Sequence, residues 1–321
     1  MPAKRERNKT DADLSLSNLS KLFTDETAAR EFLEAKRWSK TGRFCPHCGN
    51  CKTYVLTAKE GSKSPVRPGV YKCSECRKQF TVRIGTIFEE SRLPISKWLM
   101  AIHLMTSSKK GVSSHQIARE LDITVKSAWF MTHRIRESMR NDNPGAMLSG
   151  AVECDETYVG GKPRIKNKGK RGRGTDKAPV MVLVQRDGAA ICKPIQKVNA
   201  ETLRGEIIKG VSEESIILTD ELNSYCGIGE HFKGGHETVC HSAKEYSRVG
   251  ESGMSINTNT AESFFALLKR GHYGTFHQMS KKHLHRYCDE FSFRWGHRKV
   301  TDGERMVAAI EGSEGKRLRY A

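Results

Sequence analysis

The sequence predicts an α/β protein in which a small cysteine-rich ribbon and a helical region precede a mixed β-sheet. Two CxxC pairs lie in strand-like sequence between residues 41 and 90, and helical periodicity dominates residues 94–140. After a turn-rich break at residues 141–150, apolar strands alternate with amphipathic helices as far as about residue 300. A chain of 321 residues is long enough for about two domains and at least one sizeable core.

The charge balance indicates a polyanionic partner. The chain has 55 Lys and Arg against 37 Asp and Glu, a formal net charge of +18. This excess favours DNA or RNA over an anionic membrane surface, because binding releases the counterions condensed on nucleic acid. No apolar run reaches the roughly 20 residues that span a bilayer, and the N-terminus lacks the apolar stretch of a signal peptide. We therefore expect a cytoplasmic protein that has no membrane contact and is nucleoid-associated when it binds DNA.

The ribbon is predicted from two cysteine pairs, Cys45 with Cys48 and Cys73 with Cys76. In a reducing compartment cysteines are metal ligands or buried thiols rather than disulfides, and two CxxC pairs match a tetrahedral structural zinc site. A set of reduced, unliganded thiols is the alternative. Little apolar sequence surrounds the pairs, so zinc would supply much of the stability of this segment. The predicted zinc ribbon spans residues 41–90 and follows an N-terminal segment, 1–40.

Residues 94–140 have the pattern of a helix-turn-helix DNA-binding region. A short helix over 114–121 and a longer one over 124–139 are separated by a turn. In that motif the second helix enters the major groove. Its candidate DNA contacts are Thr124, Lys126, Ser127, His133 and Arg134. An ordinary helical hairpin that packs on a neighbouring element is the alternative.

The segment after residue 148 predicts a mixed sheet with helices on its faces. Three consecutive strands are indicated by GAVECDETYVGG, APVMVLVQRDG and AAICKPIQKV, and a capped helix, the apolar strand SIILTD and a fifth strand ETVCH follow. Asp155 lies on the first strand and Asp220 ends the fourth. If these strands are neighbours, the two carboxylates converge on a site for a divalent metal ion, for which Mg²⁺ needs few protein ligands. Solvated acids at strand ends are the alternative.

A third acid opens a later amphipathic helix. Glu262 lies in the first turn of the helix that begins at NTAESFF, and Lys269 lies two turns further along the same face. Asn259 as N-cap with Glu262 three residues on would form a capping box, which is an alternative role for this acid. Basic residues directly after the first strand are candidate DNA contacts: Lys168, Lys170, Arg171 and Arg173.

Together these motifs resemble one family, the DDE transposases of bacterial insertion sequences that carry a zinc ribbon ahead of a ribonuclease H-like catalytic core. The resemblance covers most of residues 40–298 and rests on CPHCG, YKCSECRKQFTVRIGTIFEESRLPISKWLMAI, DETYVGGK, ILTDE and NTAESFFALLKRGHYGTFHQMSKKHLHRYCDEFSFRW. It implies that Asp155, Asp220 and Glu262 bind Mg²⁺ or Mn²⁺ and that Lys269 contacts a phosphate. The third acid varies in this family between Glu, Asn and His, which leaves Asn259 as an alternative. Gly296 departs from the family's Asn.

The resemblance implies an enzyme that binds the terminal inverted repeats of its element and catalyses DNA strand cleavage and strand transfer. Its cofactors would be Mg²⁺ or Mn²⁺ and Zn²⁺, and its partners the element ends and target DNA. Because two ends must be joined, a homodimer or larger assembly is expected. The catalytic domain would span residues 148–300, with a charged C-terminal tail at 301–321. A non-catalytic DNA-binding regulator derived from such an enzyme is the alternative, and an RNA-cleaving ribonuclease H-like enzyme is a further one.

Overall fold

The structure, a computed structural model, describes residues 16–57, 66–143, 147–161, 176–250 and 253–319. These residues form two compact units. Unit 1 contains the described residues up to Ser108, the segment Ser114–Met139 and those from Val300 onward. Unit 2 contains Lys109–Ser113 and the described residues of Arg140–Lys299.

Two helices that the sequence analysis did not predict lie in the N-terminal segment, and the elements after them follow the predicted order of ribbon, helices and mixed sheet. The helices are α1 Leu16–Thr24, α2 Glu26–Arg37, α3 Ile95–Ser107, α4 Ser114–Glu120, α5 Val125–Met139, α6 Ala200–Gly210, α7 Asn259–Gly271, α8 Leu284–Gly296 and α9 Asp302–Glu311. The strands are β1 Thr53–Val55, β2 Tyr71–Cys73, β3 Gln79–Phe80, β4 Ala151–Val159, β5 Ala178–Gln185, β6 Ala190–Pro194, β7 Ile216–Thr219, β8 His236–Thr238, β9 Arg248–Val249 and β10 Ser255–Ile256. Within the described ranges, no helix is long and apolar enough to cross a bilayer.

Unit 1 contains the ribbon and the predicted helix-turn-helix. The ribbon is a three-stranded antiparallel sheet in the order β1-β2-β3, and Tyr71 and Phe80 fill its small core beside two of the cysteines. Helices α4 and α5 confirm the two predicted helices. The apolar side chains expected to face inward on α5 are buried, with Ala128 and Ile135 fully inaccessible.

The C-terminal segment differs from the predicted charged tail. It forms α9, which packs on α2, α3 and α5 within unit 1. A capping box starts the helix: Thr301 Oγ1 accepts from the Glu304 amide, and the Glu304 carboxylate accepts from the Thr301 amide. Met306 and Ile310 are buried on the face that meets the other helices. The sequence prediction gave weight to the charge of this segment and missed the helical spacing of its apolar residues.

Unit 2 is built on a five-stranded mixed sheet in the order β6-β5-β4-β7-β8. Strand β5 runs antiparallel to both β4 and β6, whereas β4, β7 and β8 are parallel. Numbered within the sheet, this order is 3-2-1-4-5, and it confirms the predicted ribonuclease H-like arrangement. The first strand therefore lies at the centre, next to the fourth.

The two faces of the sheet carry different helices. On one face α7 packs on β4 and β5, and α8 packs on β6. On the other face Val152 and Cys154 of β4 face a core that contains side chains of α6. Because strand side chains alternate, Glu153 and Asp155 lie on the α7 side. The central strand therefore presents two acids to the helix that carries Glu262.

Candidate functional site

The register of the central strands places Asp155 and Asp220 side by side. Strands β4 and β7 are parallel, with Glu153 opposite Leu218. Two residues further along each strand lie Asp155 and Asp220, on the same face of the sheet and on strands about 4.8 Å apart. Asp220 follows the last residue of β7, and its Oδ1 accepts from the Leu222 amide at 3.1 Å. This Asx turn holds the carboxylate at the end of the strand.

The electrostatics of Asp155 show that several acids lie near one another. The pKa of Asp155 is raised to about 7, first because the carboxyl is buried and then because Glu156, Asp220 and Glu262 are negatively charged neighbours. One contact opposes this shift, since the Glu156 amide donates to Asp155 Oδ1 at 2.7 Å. A cation that neutralises these acids would restore the ordinary ionisation of Asp155.

The third acid does not form the capping box considered from the sequence. Thr258 is the N-cap of α7, Asn259 is its first residue, and the N-cap makes no side-chain capping bond. The Glu262 side chain is 57% exposed, and its Oε1 lies 3.9 Å from Nε2 of His241. The capping-box alternative is wrong because the N-cap position is shifted by one residue. Glu262 is thus free of that structural role.

A short loop beside Glu262 was not identified from the sequence. His241 opens a turn of 3-10 helix, and its Nε2 also lies 3.4 Å from Oγ1 of Thr258. Glu221, next to Asp220, accepts from the amide and hydroxyl of Ser242 and so holds this turn. The sequence prediction had placed His241 at the end of the fifth strand, ETVCH, but β8 ends at Thr238. A single histidine in a polar segment has no distinguishing sequence signal, which is why its position beside Glu262 was missed.

The most buried acid of the central strand performs a task that the sequence did not predict. Glu153 is fully inaccessible. Its carboxylate accepts hydrogen bonds from the amides of Thr260 and Ala261, from the Thr260 hydroxyl and from the Arg186 guanidinium. Its signal in the sequence is the alternation Val-Glu-Cys-Asp, which puts the glutamate on the same face as Asp155.

Lys269 lies on α7 seven residues after Glu262, and its side chain is exposed. Two helical turns separate the two residues along one face of the helix. This position is compatible with a contact between the ammonium group and a phosphate near the acids.

The four cysteines of the ribbon converge as predicted. Their sulfur atoms all lie within 4.8 Å of one another, and the Sγ–Sγ distances Cys45–Cys76 and Cys48–Cys73 are both 3.6 Å. A tetrahedral Zn²⁺ with Zn–S bonds of about 2.3 Å requires sulfur separations of about 3.8 Å. The donor set and its spacing therefore fit one zinc ion.

The three carboxylates are spaced more widely than the sulfur atoms. Among the described residues, the four cysteines are the only group that brings three or more candidate ligand atoms within 4.8 Å of one another. Mg²⁺ binds through one or two carboxylates together with water and phosphate oxygens. Adjacent Asp155 and Asp220 satisfy that requirement without a closed cage of protein ligands.

The helix-turn-helix presents fewer candidate DNA contacts than expected. Lys126 is exposed in the first turn of α5, and Thr124 caps this helix through the Ser127 amide. In contrast, Arg134 is 5% exposed and His133 is 1% exposed.

The predicted DNA contacts of His133 and Arg134 are both corrected, because both side chains are buried, and the surroundings of Arg134 show the reason. Its guanidinium donates to the carbonyls of Ile87, Glu89 and Leu318 and lies over the Phe130 ring. The exposed face assigned to this part of α5 is covered within unit 1. The basic candidates Lys168, Lys170, Arg171 and Arg173 lie outside the described residues.

Comparisons with known proteins found family matches for the ribbon segment and for the segment that contains the sheet of unit 2. Residues 147–296 match the family model of the ISXO2-like transposase domain, and residues 24–79 match that of the transposase zinc-ribbon domain. A protein of Halobacterium salinarum, described as an uncharacterized protein in transposable element ISH50, is 29% identical over 296 residues, with 85% of this chain and 92% of that protein covered.

Two solved structures of Mos1 transposase were also matched, a paired-end complex with the left transposon end and a pre-cleavage transpososome. Each is 16% identical in sequence; the matches cover 71% and 62% of this chain and 83% and 74% of the Mos1 chains. Their TM-scores are 0.28 and 0.25. The fold assignment therefore rests on the strand order and directions of the sheet itself.

Proposed function

Because the chain belongs to the insertion-sequence transposases that combine a transposase zinc ribbon with an ISXO2-like transposase domain, we propose that it cleaves and joins DNA at the acids of its central sheet. Asp155 and Asp220 would hold Mg²⁺ or Mn²⁺, and Glu262 would complete the ligand set. The observation that carries this proposal is the parallel pairing of β4 with β7, which sets the two aspartates side by side under the helix of Glu262.

The reaction proposed is phosphoryl transfer without a covalent enzyme intermediate. A metal ion supplies charge that activates the attacking oxygen and stabilises the leaving oxygen. In the first step water attacks a phosphodiester at the element end; the bond from phosphorus to the 3'-oxygen breaks, and the strand leaves with a 3'-hydroxyl. In the second step that hydroxyl attacks a target phosphodiester, a new bond from the 3'-oxygen to phosphorus forms, and the target's own 3'-oxygen leaves.

The other residues would position the DNA. The exposed ammonium of Lys269 would bind a phosphate next to the acids, and Lys126 at the start of α5 would contact the element end. The net charge of +18 supports a salt-dependent contribution to binding. Since two ends are joined, the active form would be a homodimer or larger assembly on DNA in the cytoplasm.

Separate measurements of binding and cleavage test this proposal. We expect Asp155→Asn and Asp220→Asn to abolish Mn²⁺-dependent cleavage of a labelled terminal-repeat duplex, while binding of that duplex stays within about twofold, because an amide keeps the shape of a carboxylate but loses its charge. Asp187→Asn is the matched control, since its side chain is 92% exposed on the β5–β6 turn. Cleavage by either active-site variant at the wild-type rate would refute the proposal.

The identity of the third ligand has its own pair of variants. We expect Glu262→Gln to lose cleavage and Asn259→Ala to retain it. The reverse pattern would assign the third position to Asn259. Binding of terminal repeats by the wild-type protein without any cleavage in Mn²⁺ would instead favour the non-catalytic regulator.

A further inference from the structure

The amide groups that open α7 are bound by a side chain of the sheet. The first N–H groups of an α-helix have no partner within the helix. In α7 the amides of Thr260 and Ala261 donate to Glu153 Oε2 at 2.7 and 2.9 Å, and the Thr260 hydroxyl donates to Oε1 at 2.8 Å. A buried carboxylate on the central strand thus takes the place of the missing N-cap side chain.

Arg186 extends this contact to the segment that leads into α7. Its Nε donates to Glu153 Oε1 at 2.7 Å, and its two terminal nitrogens donate to the carbonyls of Ser255 and Asn257. Glu153 and Arg186 therefore join β4 and the end of β5 to the segment Ser255–Ala261. We call these two residues the helix clamp.

The helix clamp joins residues that are close in sequence to two of the proposed metal ligands. Glu153 is two residues before Asp155 and on the same face of β4, and Ala261, which it binds, directly precedes Glu262. Any rotation or axial shift of α7 that moved Glu262 away from Asp155 would have to break these hydrogen bonds.

Stability alone does not require a charged group at this position. Burying a carboxylate and a guanidinium costs desolvation energy, and an apolar substitute often gives equal or greater stability. A serine or threonine N-cap would also satisfy the helix amides without a buried charge. What the clamp adds is a fixed geometry, because three donors of one helix turn converge on a single carboxylate.

We propose that Glu153, supported by Arg186, is a positioning residue that sets Glu262 against Asp155 and thereby determines the affinity of the site for its divalent metal ion. This inference rests on the proposed function of the three acids. It predicts that the clamp acts on metal binding and leaves recognition of the element end unchanged.

Glu153→Gln tests this inference in the full-length, zinc-loaded protein. The amide has nearly the same shape but lacks the charge and keeps only one acceptor oxygen for four donors. We expect the Mn²⁺ dissociation constant, measured by calorimetry, and the Mn²⁺ concentration for half-maximal cleavage both to rise about 10- to 100-fold, as for other groups that orient metal ligands. Saturating Mn²⁺ should restore much of the cleavage rate, and binding of the terminal repeat should change by less than about twofold.

A matched control is available in the same unit. Glu290 is also fully inaccessible and forms an ion pair with Arg294 within α8, a helix that carries none of the three acids. We expect Glu290→Gln to lower the unfolding midpoint without changing the Mn²⁺ affinity. An equal loss of Mn²⁺ affinity in the two variants would overturn the inference, because loosening of unit 2 in general would then explain both.

Further outcomes separate this inference from the function on which it depends. Unchanged Mn²⁺ affinity in Glu153→Gln, together with its loss in Asp155→Asn, would overturn the positioning role and leave the proposed function intact. Unchanged Mn²⁺ binding and cleavage in Asp155→Asn would overturn both. If Glu153→Gln does not fold, Thr260→Val is the second test, because it removes the hydroxyl donor to Glu153 and keeps the two backbone amides. An unchanged Mn²⁺ affinity in Thr260→Val would overturn the inference.

Discussion

We predict that Asp155→Asn, although it abolishes cleavage, stabilises the metal-free protein and does so in a pH-dependent way. The pKa of this carboxyl is raised from 3.8 to about 7, with burial as the largest cause and neighbouring acids next. A raised carboxyl pKa means that the folded state binds a proton more tightly than the unfolded state. Stability is therefore fully present below about pH 4 and is lost as the pH rises through 7. Asparagine cannot ionise and avoids this loss.

The size of the effect follows from the shift. A change from 3.8 to about 7 corresponds to about 4 kcal/mol of free energy of unfolding. Asp155 is partly exposed, so water and salt screen its acidic neighbours. We therefore expect the variant to be more stable than the wild type by about 1–2 kcal/mol at pH 8, and we expect this gain to disappear as the pH falls below about 4.

Urea unfolding of the zinc-loaded protein without added Mg²⁺ or Mn²⁺ measures this difference. Hydrogen exchange of β4 and β5 peptides reports unit 2 by itself. Asp187→Asn serves as the control, because its exposed side chain should give no pH-dependent gain. Added Mn²⁺ should stabilise the wild type and not Asp155→Asn. A gain of equal size at pH 4 and pH 8, or no gain at either, would show that the surroundings of Asp155 do not oppose its ionisation.

Further predictions concern unit 1. Replacement of Cys73 and Cys76 by Ser should eliminate near-stoichiometric zinc from the purified protein in elemental analysis, and a folded ribbon without metal would contradict the assigned site. Lys126→Ala should weaken binding of the terminal repeat and reduce the dependence of log K on log salt by about 1. Arg134→Ala should instead destabilise unit 1 by about 1–3 kcal/mol, because three carbonyls lose a buried donor. If this variant bound DNA more weakly but kept the stability of the wild type, Arg134 would be a DNA contact after all. Thr301→Ala should lower the stability of unit 1 by about 1 kcal/mol, measured by hydrogen exchange of α9. Unchanged exchange in α9 would mean that the capping box does not stabilise this helix.

The sequence was sufficient to predict the order along the chain of the five strands that form the sheet. The alternation Val-Glu-Cys-Asp in β4, the continuous apolar run of β5, the Arg-Asp-Gly turn between β5 and β6, and the acid at the end of β7 are local signals. The two CxxC pairs likewise predicted the sulfur cluster, because zinc geometry admits few alternatives. The roles of Asp155, Asp220 and Glu262 in catalysis stay predictions.

What the sequence could not provide depends on contacts between distant segments. Glu153 meets Thr260 across 107 positions of chain, and nothing local distinguishes it from a metal ligand. The capping-box pattern at Asn259 and Glu262 was misleading because the preceding residue, Thr258, occupies the N-cap position. Arg134 looked exposed because the segment around Leu318, which accepts its hydrogen bond, had been interpreted as tail.

Helix α9 has a consequence for how the protein is made. Unit 1 takes its last packed helix from residues 302–311, whereas the sheet of unit 2 is complete by Thr238 and its α8 by Gly296. At about 5–20 residues per second, a ribosome needs roughly 10–35 s to translate from residue 140 to residue 311. During this time α2, α3 and α5 lack the helix that packs on them, whereas all five strands of the unit 2 sheet are synthesised before it. A chain that ended before α9 would therefore lack part of the helical core of unit 1, although the sheet of unit 2 would be complete.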